Sequence, residues 1–165
     1  MGLFGFGKKK NTETLYAPVK GELQTLENVS DPVFAQKMMG EGFGVVPSEE
    51  KIYSPVEGTV ESVFKTKHAI GLKTADGLEV MVHMGLDTVE LNGKPFDILV
   101  NEGDKVKVHD PIATMDINQV RDAGKETVVL TIITNTADLI DNVTEEINNK
   151  TEIDDGTKVM VSTLK

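Results

Sequence analysis

Apolar residues in this chain recur mostly at every second position or in short runs, the period of β-strands rather than of helices. Leu15-Tyr-Ala-Pro-Val-Lys-Gly-Glu-Leu23 alternates in this way, and Ile52-Tyr-Ser-Pro-Val-Glu-Gly-Thr-Val60 repeats it, Pro18 answered by Pro55 and Gly21 by Gly58 at one constant offset. Pro and Gly at these places bend or end a strand, so the chain carries two similar β sub-motifs, too few for a solenoid. Val128–Ile133 and Lys158–Val161 read as further strands, the first dense in β-branched residues. Turn signals at Gly40-Glu-Gly42, Asp76-Gly77, Asn92-Gly93 and Glu102-Gly-Asp104 separate the strands. Helix is scarce: Asp31 before Pro32 caps one short helix toward Met39, and Asp116 caps another through Arg121. The pattern predicts an all-β fold over residues 14–165, with residues 1–13 as a flexible tail. The expected fold is an antiparallel β-sandwich or flattened barrel with an internally duplicated motif and one or two short helices.

The stretch from Phe64 to Asp87 holds two of the three histidines. Asp76-Gly77 predicts a two-residue hairpin turn, since type I′ geometry wants positive φ at both central residues. That register pairs Ala75 with Leu78, places His68 opposite Gly85 and His83 opposite Ile70, and puts Thr66, His68, Ile70, His83, Gly85 and Asp87 on one face. His68 and His83 are then diagonal neighbours with Cα atoms roughly 7–8 Å apart. A three-residue turn would instead send the two rings to opposite faces. Two adjacent imidazoles admit three readings. One neutral ring can act as nucleophile while the other donates a hydrogen bond to the attached group. The pair can bind a metal, although two ligands fall short of the four of a structural zinc. Or both are ordinary half-buried histidines. His109, in a turn beside Asp110-Pro111, reads as surface.

Composition narrows the chemistry. Apolar residues are 39% of the 165, aromatics 5%, and Trp and Cys are absent. Disulfides, thiolate chemistry and cysteine zinc sites are therefore excluded, in keeping with a reducing, cytoplasmic setting. Lys and Arg number 17 against 27 Asp and Glu, a net charge of −10. That field repels nucleic acid and steers a basic protein partner. No apolar run has the length of a membrane span. Leu3, Phe4, Phe6 and Lys8 to Lys10 offer at most a peripheral membrane contact. Neither a phosphate-binding loop nor a G-x-S-x-G elbow is present. A zinc hydrolase on a related β fold would need a third protein ligand, and a non-catalytic binding module would have no use for two histidines.

Gly77-Leu-Glu-Val-Met-Val-His83-Met-Gly-Leu-Asp-Thr-Val89 resembles the active-site signature of the glucose-type enzyme IIA of the bacterial phosphoenolpyruvate-dependent sugar phosphotransferase system. Thr66-Lys-His68-Ala69 resembles the family's second-histidine segment, and Asp31-Pro-Val-Phe-Ala-Gln-Lys-Met-Met-Gly-Glu-Gly42 its docking segment. Asn101–Ile112 also resembles the hammerhead turn of biotinyl and lipoyl domains, without their lysine tip. The enzyme IIA resemblance implies a phosphocarrier that takes a phosphoryl group from HPr on His83 Nε2. His68 would stabilise the phosphoryl group, Thr66 would position an imidazole, and a cysteine on the IIB domain of a sugar permease would be the next acceptor. Val33, Phe34, Met38, Met39, Phe64 and Met81 would form an apolar collar for docking, with Gly85 beside the site. Asp31 and Asp87 would face the basic surface of HPr. No cofactor is required. Relatives in enteric bacteria also regulate permeases and glycerol kinase, with a zinc bridged by the two histidines and a partner carboxylate.

Overall fold

The computed structural model describes residues 11–165. The tail expected over residues 1–13, with its membrane-contact residues Leu3, Phe4 and Phe6, falls mostly outside the described residues. Thr12 and Glu13 already belong to the first strand. The strands in chain order are β1 (Thr12–Tyr16), β2 (Gly21–Thr25), β3 (Glu41–Pro47), β4 (Lys51–Tyr53), β5 (Gly58–Val63), β6 (Ala69–Lys73) and β7 (Glu79–Met84). They continue as β8 (Phe96–Ile98), β9 (Lys105–Val106), β10 (Pro111–Met115), β11 (Val129–Ile133), β12 (Ile140–Glu145), β13 (Glu152–Ile153) and β14 (Lys158–Leu164). Among the described residues three short α-helices interrupt them, α1 (Pro32–Ala35), α2 (Ile117–Asp122) and α3 (Thr136–Leu139), with 3-10 turns at Leu26–Asn28 and Thr88–Leu91. Asp31 and Asp116 cap the first two as anticipated, accepting from Val33 N and Gln119 N, but α1 stops at Ala35, short of Met39. No pattern in the sequence announced α3.

All the pairings are antiparallel. The large sheet runs β13-β2-β3-β11-β7-β6-β5-β9, and two three-stranded sheets, β1-β14-β12 and β4-β10-β8, accompany it. The sequence repeat has a structural counterpart. Tyr16 N donates to Pro55 O (3.0 Å) and Tyr53 N to Pro18 O (2.7 Å), so the two copies bond reciprocally about a local two-fold. The symmetry extends to the loops that receive them: Gly156 N bonds Ala17 O as His109 N bonds Ser54 O, and both donors have positive φ (79° and 73°).

The main core lies on one face of the large sheet and takes Val80, Val82 and Met84 from β7 and Ile70 and Leu72 from β6. The opposite face is covered too, by a smaller cluster of Leu26, Val29, Phe34, Ala69, Met81, Leu86, Val128, Leu130 and Ile132. Burial on both faces explains why β7 and β11 read as nearly continuous apolar runs rather than strict alternations.

Candidate active site

The β6–β7 hairpin corrects the expected register by one residue. Thr74 N donates to Leu78 O (2.9 Å) and Gly77 N to Thr74 O (3.0 Å), so Ala75, Asp76 and Gly77 form a three-residue loop with Gly77 at φ 91°. A turn followed by a left-handed glycine is the other common hairpin closure, and Asp-Gly serves both. The ladder therefore sets His83 against Ala69, not Ile70, and Met84 N donates to His68 O (2.7 Å), the place assigned to Gly85. Ile70, expected beside the histidines, is buried in the main core instead.

By strand alternation alone, this register would separate the two rings. They meet nonetheless, with ring centroids 5.0 Å apart and planes at 82°. The cause is a turn just before β6: Phe64 N bonds Ala69 O, Lys67 N bonds Phe64 O, and Lys67 takes a left-handed conformation at φ 59°. His68 is thus outside the strand and free of its pleat, and the turn swings its ring across to the His83 side. The two rings are therefore neighbours although the ladder is shifted by one residue.

Each imidazole has one nitrogen engaged. His83 Nδ1 lies 2.8 Å from Gly85 O. A carbonyl oxygen can only accept, so Nδ1 carries the proton and Nε2 is left with its lone pair. His68 Nδ1 lies 2.5 Å from Thr66 Oγ1. A hydroxyl can donate there, which leaves His68 Nε2–H free to act as a donor. Burial first, and the neighbouring His68 second, push His83 down to about 4 against the opposing pull of Gly85 O, Asp31 and Asp87. Burial also lowers His68. Both rings are therefore neutral near pH 7, one presenting a nucleophilic nitrogen and the other a hydrogen-bond donor.

The surroundings follow the anticipated collar in part. Phe34 packs its ring 5.2 Å from His83, and Phe64 stands edge-on to His68 at 5.3 Å. Val33, Met38, Met39 and Phe64 are exposed. Phe34, Met81 and Gly85, assigned to the docking surface, are buried. Met81 packs in the cluster beneath the site, and Gly85 acts through its carbonyl. A Cβ at Gly85 would fall 2.5 Å from Thr88 Cγ2 and 2.8 Å from Glu126 O, and φ there is 77°. Asp31 caps α1, and Asp87, exposed at φ 59°, opens the Thr88–Leu91 turn. His109 takes no part: it stacks on Tyr53 (4.3 Å) and pairs with Asp155.

Three contributors escaped the sequence. The Gly85 carbonyl was signalled only by the His-x-Gly spacing. The left-handed Lys67 carries no turn-forming residue type to announce it, and the loop at Glu126 to Val128, which holds Gly85 in place, is distant in sequence. Among the described residues, no group of three or more His, Cys, Asp or Glu stands close enough to hold a metal. No helix among them is long and apolar enough to cross a membrane.

Known proteins resemble this chain in sequence and in fold. A family-wide sequence model described as "phosphoenolpyruvate-dependent sugar phosphotransferase system, EIIA 1" matches residues 13–139. The glucose-specific EIIA component of Staphylococcus aureus is 46% identical over 135 residues, 81% of each chain. That of Staphylococcus epidermidis is 45% identical over 133 residues, 79% of this chain and 80% of the relative. The solved glucose permease IIA of Mycoplasma capricolum superposes with a TM-score of 0.80 at 30% identity, covering 94% of this chain and 99% of that one. Fold and comparisons together define a phosphocarrier of the phosphotransferase type, built on an antiparallel β-sandwich. The chain belongs to the EIIA 1 family of the phosphoenolpyruvate-dependent sugar phosphotransferase system.

Proposed function

We propose that His83 Nε2 is the phosphoryl acceptor, loaded by phospho-HPr and unloaded by a cysteine of the IIB domain of a glucose permease, in the cytoplasm. The observation that carries this is the His83 Nδ1–Gly85 O hydrogen bond, which leaves Nε2 as the nitrogen with the lone pair on a ring beside His68. In loading, that lone pair forms the new N–P bond as the P–N bond to the donor histidine breaks, its electron pair staying with the departing imidazole. In unloading, a thiolate displaces His83 in the same way. His68 Nε2–H donates to the phosphoryl oxygens, with Thr66 holding the ring in the required tautomer. Such a transfer depends on alignment and on stabilising charge, and Phe34 and Phe64 keep water from the labile bond. Asp31 and Asp87 draw in a basic donor. Glucose is the sugar named for the relatives, and it is the one we assign.

No cofactor enters this transfer. The two histidines supply half of a tetrahedral zinc shell, so a zinc at this site would be completed by a partner's ligands. The function is tested by incubation with radiolabelled phosphoenolpyruvate, enzyme I and HPr. Label should reach this protein only when HPr is present, in an acid-labile, base-stable form. Labelling by ATP alone, or none, would overturn the proposal.

A further inference from the structure

We propose that Glu126 is a positioning residue for His83, its side chain clamping the start of α1 over the imidazole while its backbone holds the segment that orients the ring. The inference rests on His83 being the acceptor. Glu126 stands where two supports of the nucleophile converge. Leu86 N donates to Glu126 O (3.1 Å) and Gly85 N to Val128 O (2.8 Å), so the loop before β11 carries the Gly85 carbonyl that receives His83 Nδ1–H. The Glu126 carboxylate accepts from Ser30 Oγ, across 96 residues of sequence. Ser30 directly precedes Asp31, the cap of α1, and α1 bears the Phe34 ring that packs on His83. Bonds and chain together close a ring: His83 to the Gly85 carbonyl, Leu86 to Glu126, Glu126 to Ser30, and along α1 to Phe34, which packs on His83.

Val29 and Phe34 pack with Leu86 and Val128 beneath this bond, so the clamp acts at the solvent edge of an apolar contact; the neighbouring ion pairs do not duplicate it. Lys37, beyond the far end of α1, pairs with Glu27 and Glu41 at 3.2 Å each. Lys125, next to Glu126, pairs with Glu90 and ties the loop to the Thr88–Leu91 turn, not to α1. The near end of α1 is joined to the Gly85-bearing loop through Ser30 and Glu126. Both side chains are exposed, so water competes for the bond and its share of global stability is small. Its consequence is local. With the clamp open, the solvent edge of α1 loosens while Phe34 keeps its apolar packing, water enters beside the imidazole more often, and a phosphoryl group on His83 is lost sooner.

Three variants separate a clamp from a charge effect: Ser30→Ala, Glu126→Ala and Glu126→Gln. The readouts are the imidazole titration of His83 by NMR and the hydrolysis rate of the phosphorylated protein. Ser30→Ala and Glu126→Ala should both raise the His83 titration midpoint and shorten the phosphohistidine lifetime by about twofold, the low end of what a hydrogen bond contributes when water competes for it. Glu126→Gln, whose amide oxygen still accepts from Ser30, should stay near wild type. Removing a negative charge alone would lower the midpoint, so an upward shift cannot come from lost charge. The clamp is refuted if Ser30→Ala matches wild type, or if Glu126→Gln behaves as Glu126→Ala. Failure of the wild-type protein to take label refutes the acceptor reading instead, and the titrations still decide the clamp.

Discussion

His68 and His83 meet edge to face at 5.0 Å although the β6–β7 ladder places their positions on opposite sides of the sheet. What joins them is the left-handed turn at Lys67, and what differentiates them is the partner of each Nδ1. A carbonyl fixes one ring as Nδ1–H, and a hydroxyl allows the other to be Nε2–H. Two chemically identical side chains thereby take different parts.

Substitution should separate those parts. His83→Gln should abolish phosphorylation. His68→Gln should still load from HPr but relay to the IIB cysteine about 10²–10³ more slowly, the usual cost of losing a well-placed donor. Both proteins should keep the wild-type circular dichroism. Rapid-quench measurement of each half-reaction checks this, and a wild-type rate of relay in His68→Gln would contradict the assigned role.

Because burial depresses His83 to about 4, its Nε2 should remain unprotonated from pH 8 to about 5. An imidazole NMR titration should find the midpoint well below the ordinary 6.5. The same shift makes stability depend on pH. The unfolded chain binds a proton at His83 below about 6.5 while the native ring does not, so this ring's contribution is unfavourable as pH falls from 6.5 to about 4 and absent above. The stability difference between wild type and His83→Gln, from urea melts, should shift in favour of the variant across that window and be flat from pH 7 to 8.

Gly85→Ala should be poorly tolerated, since the methyl meets Thr88 and the Glu126 carbonyl at a positive φ. A loss of about 1–3 kcal/mol is expected, together with slower phosphorylation as the Gly85 carbonyl is displaced. Equilibrium denaturation alongside the labelling assay measures both, and unchanged values would show that the loop at Glu126 gives way freely.

Neutralising the rim should weaken steering. Asp31→Asn keeps a capping oxygen for Val33 N, so α1 survives while the charge is lost. Combined with Asp87→Asn, it should slow association with HPr and flatten the salt dependence, because surface attraction is screened within about 10 Å at 0.1 M salt. Stopped-flow mixing across salt concentrations is the test. Identical rates and slopes would remove these two carboxylates from the docking surface.

The all-β character, the duplicated motif and the caps at Asp31 and Asp116 were legible in the sequence, because each rests on local signals. Alternation marks strands, Pro and Gly mark their ends, and an Asp before a helix needs no distant partner. Register was not legible, since Asp76-Gly77 closes a two- or a three-residue loop equally well and one residue of slip exchanges the faces. The choice falls to packing: only the observed register sends Ile70, Val80 and Val82 into the main core and Ala69 and Met81 into the smaller cluster. Only the tertiary structure decided which nitrogen of each ring is free, because Gly85 O, Thr66 Oγ1 and the aromatic walls act through position rather than residue type. It likewise joined Ser30 to Glu126, a contact between distant segments that neither one's own pattern encodes.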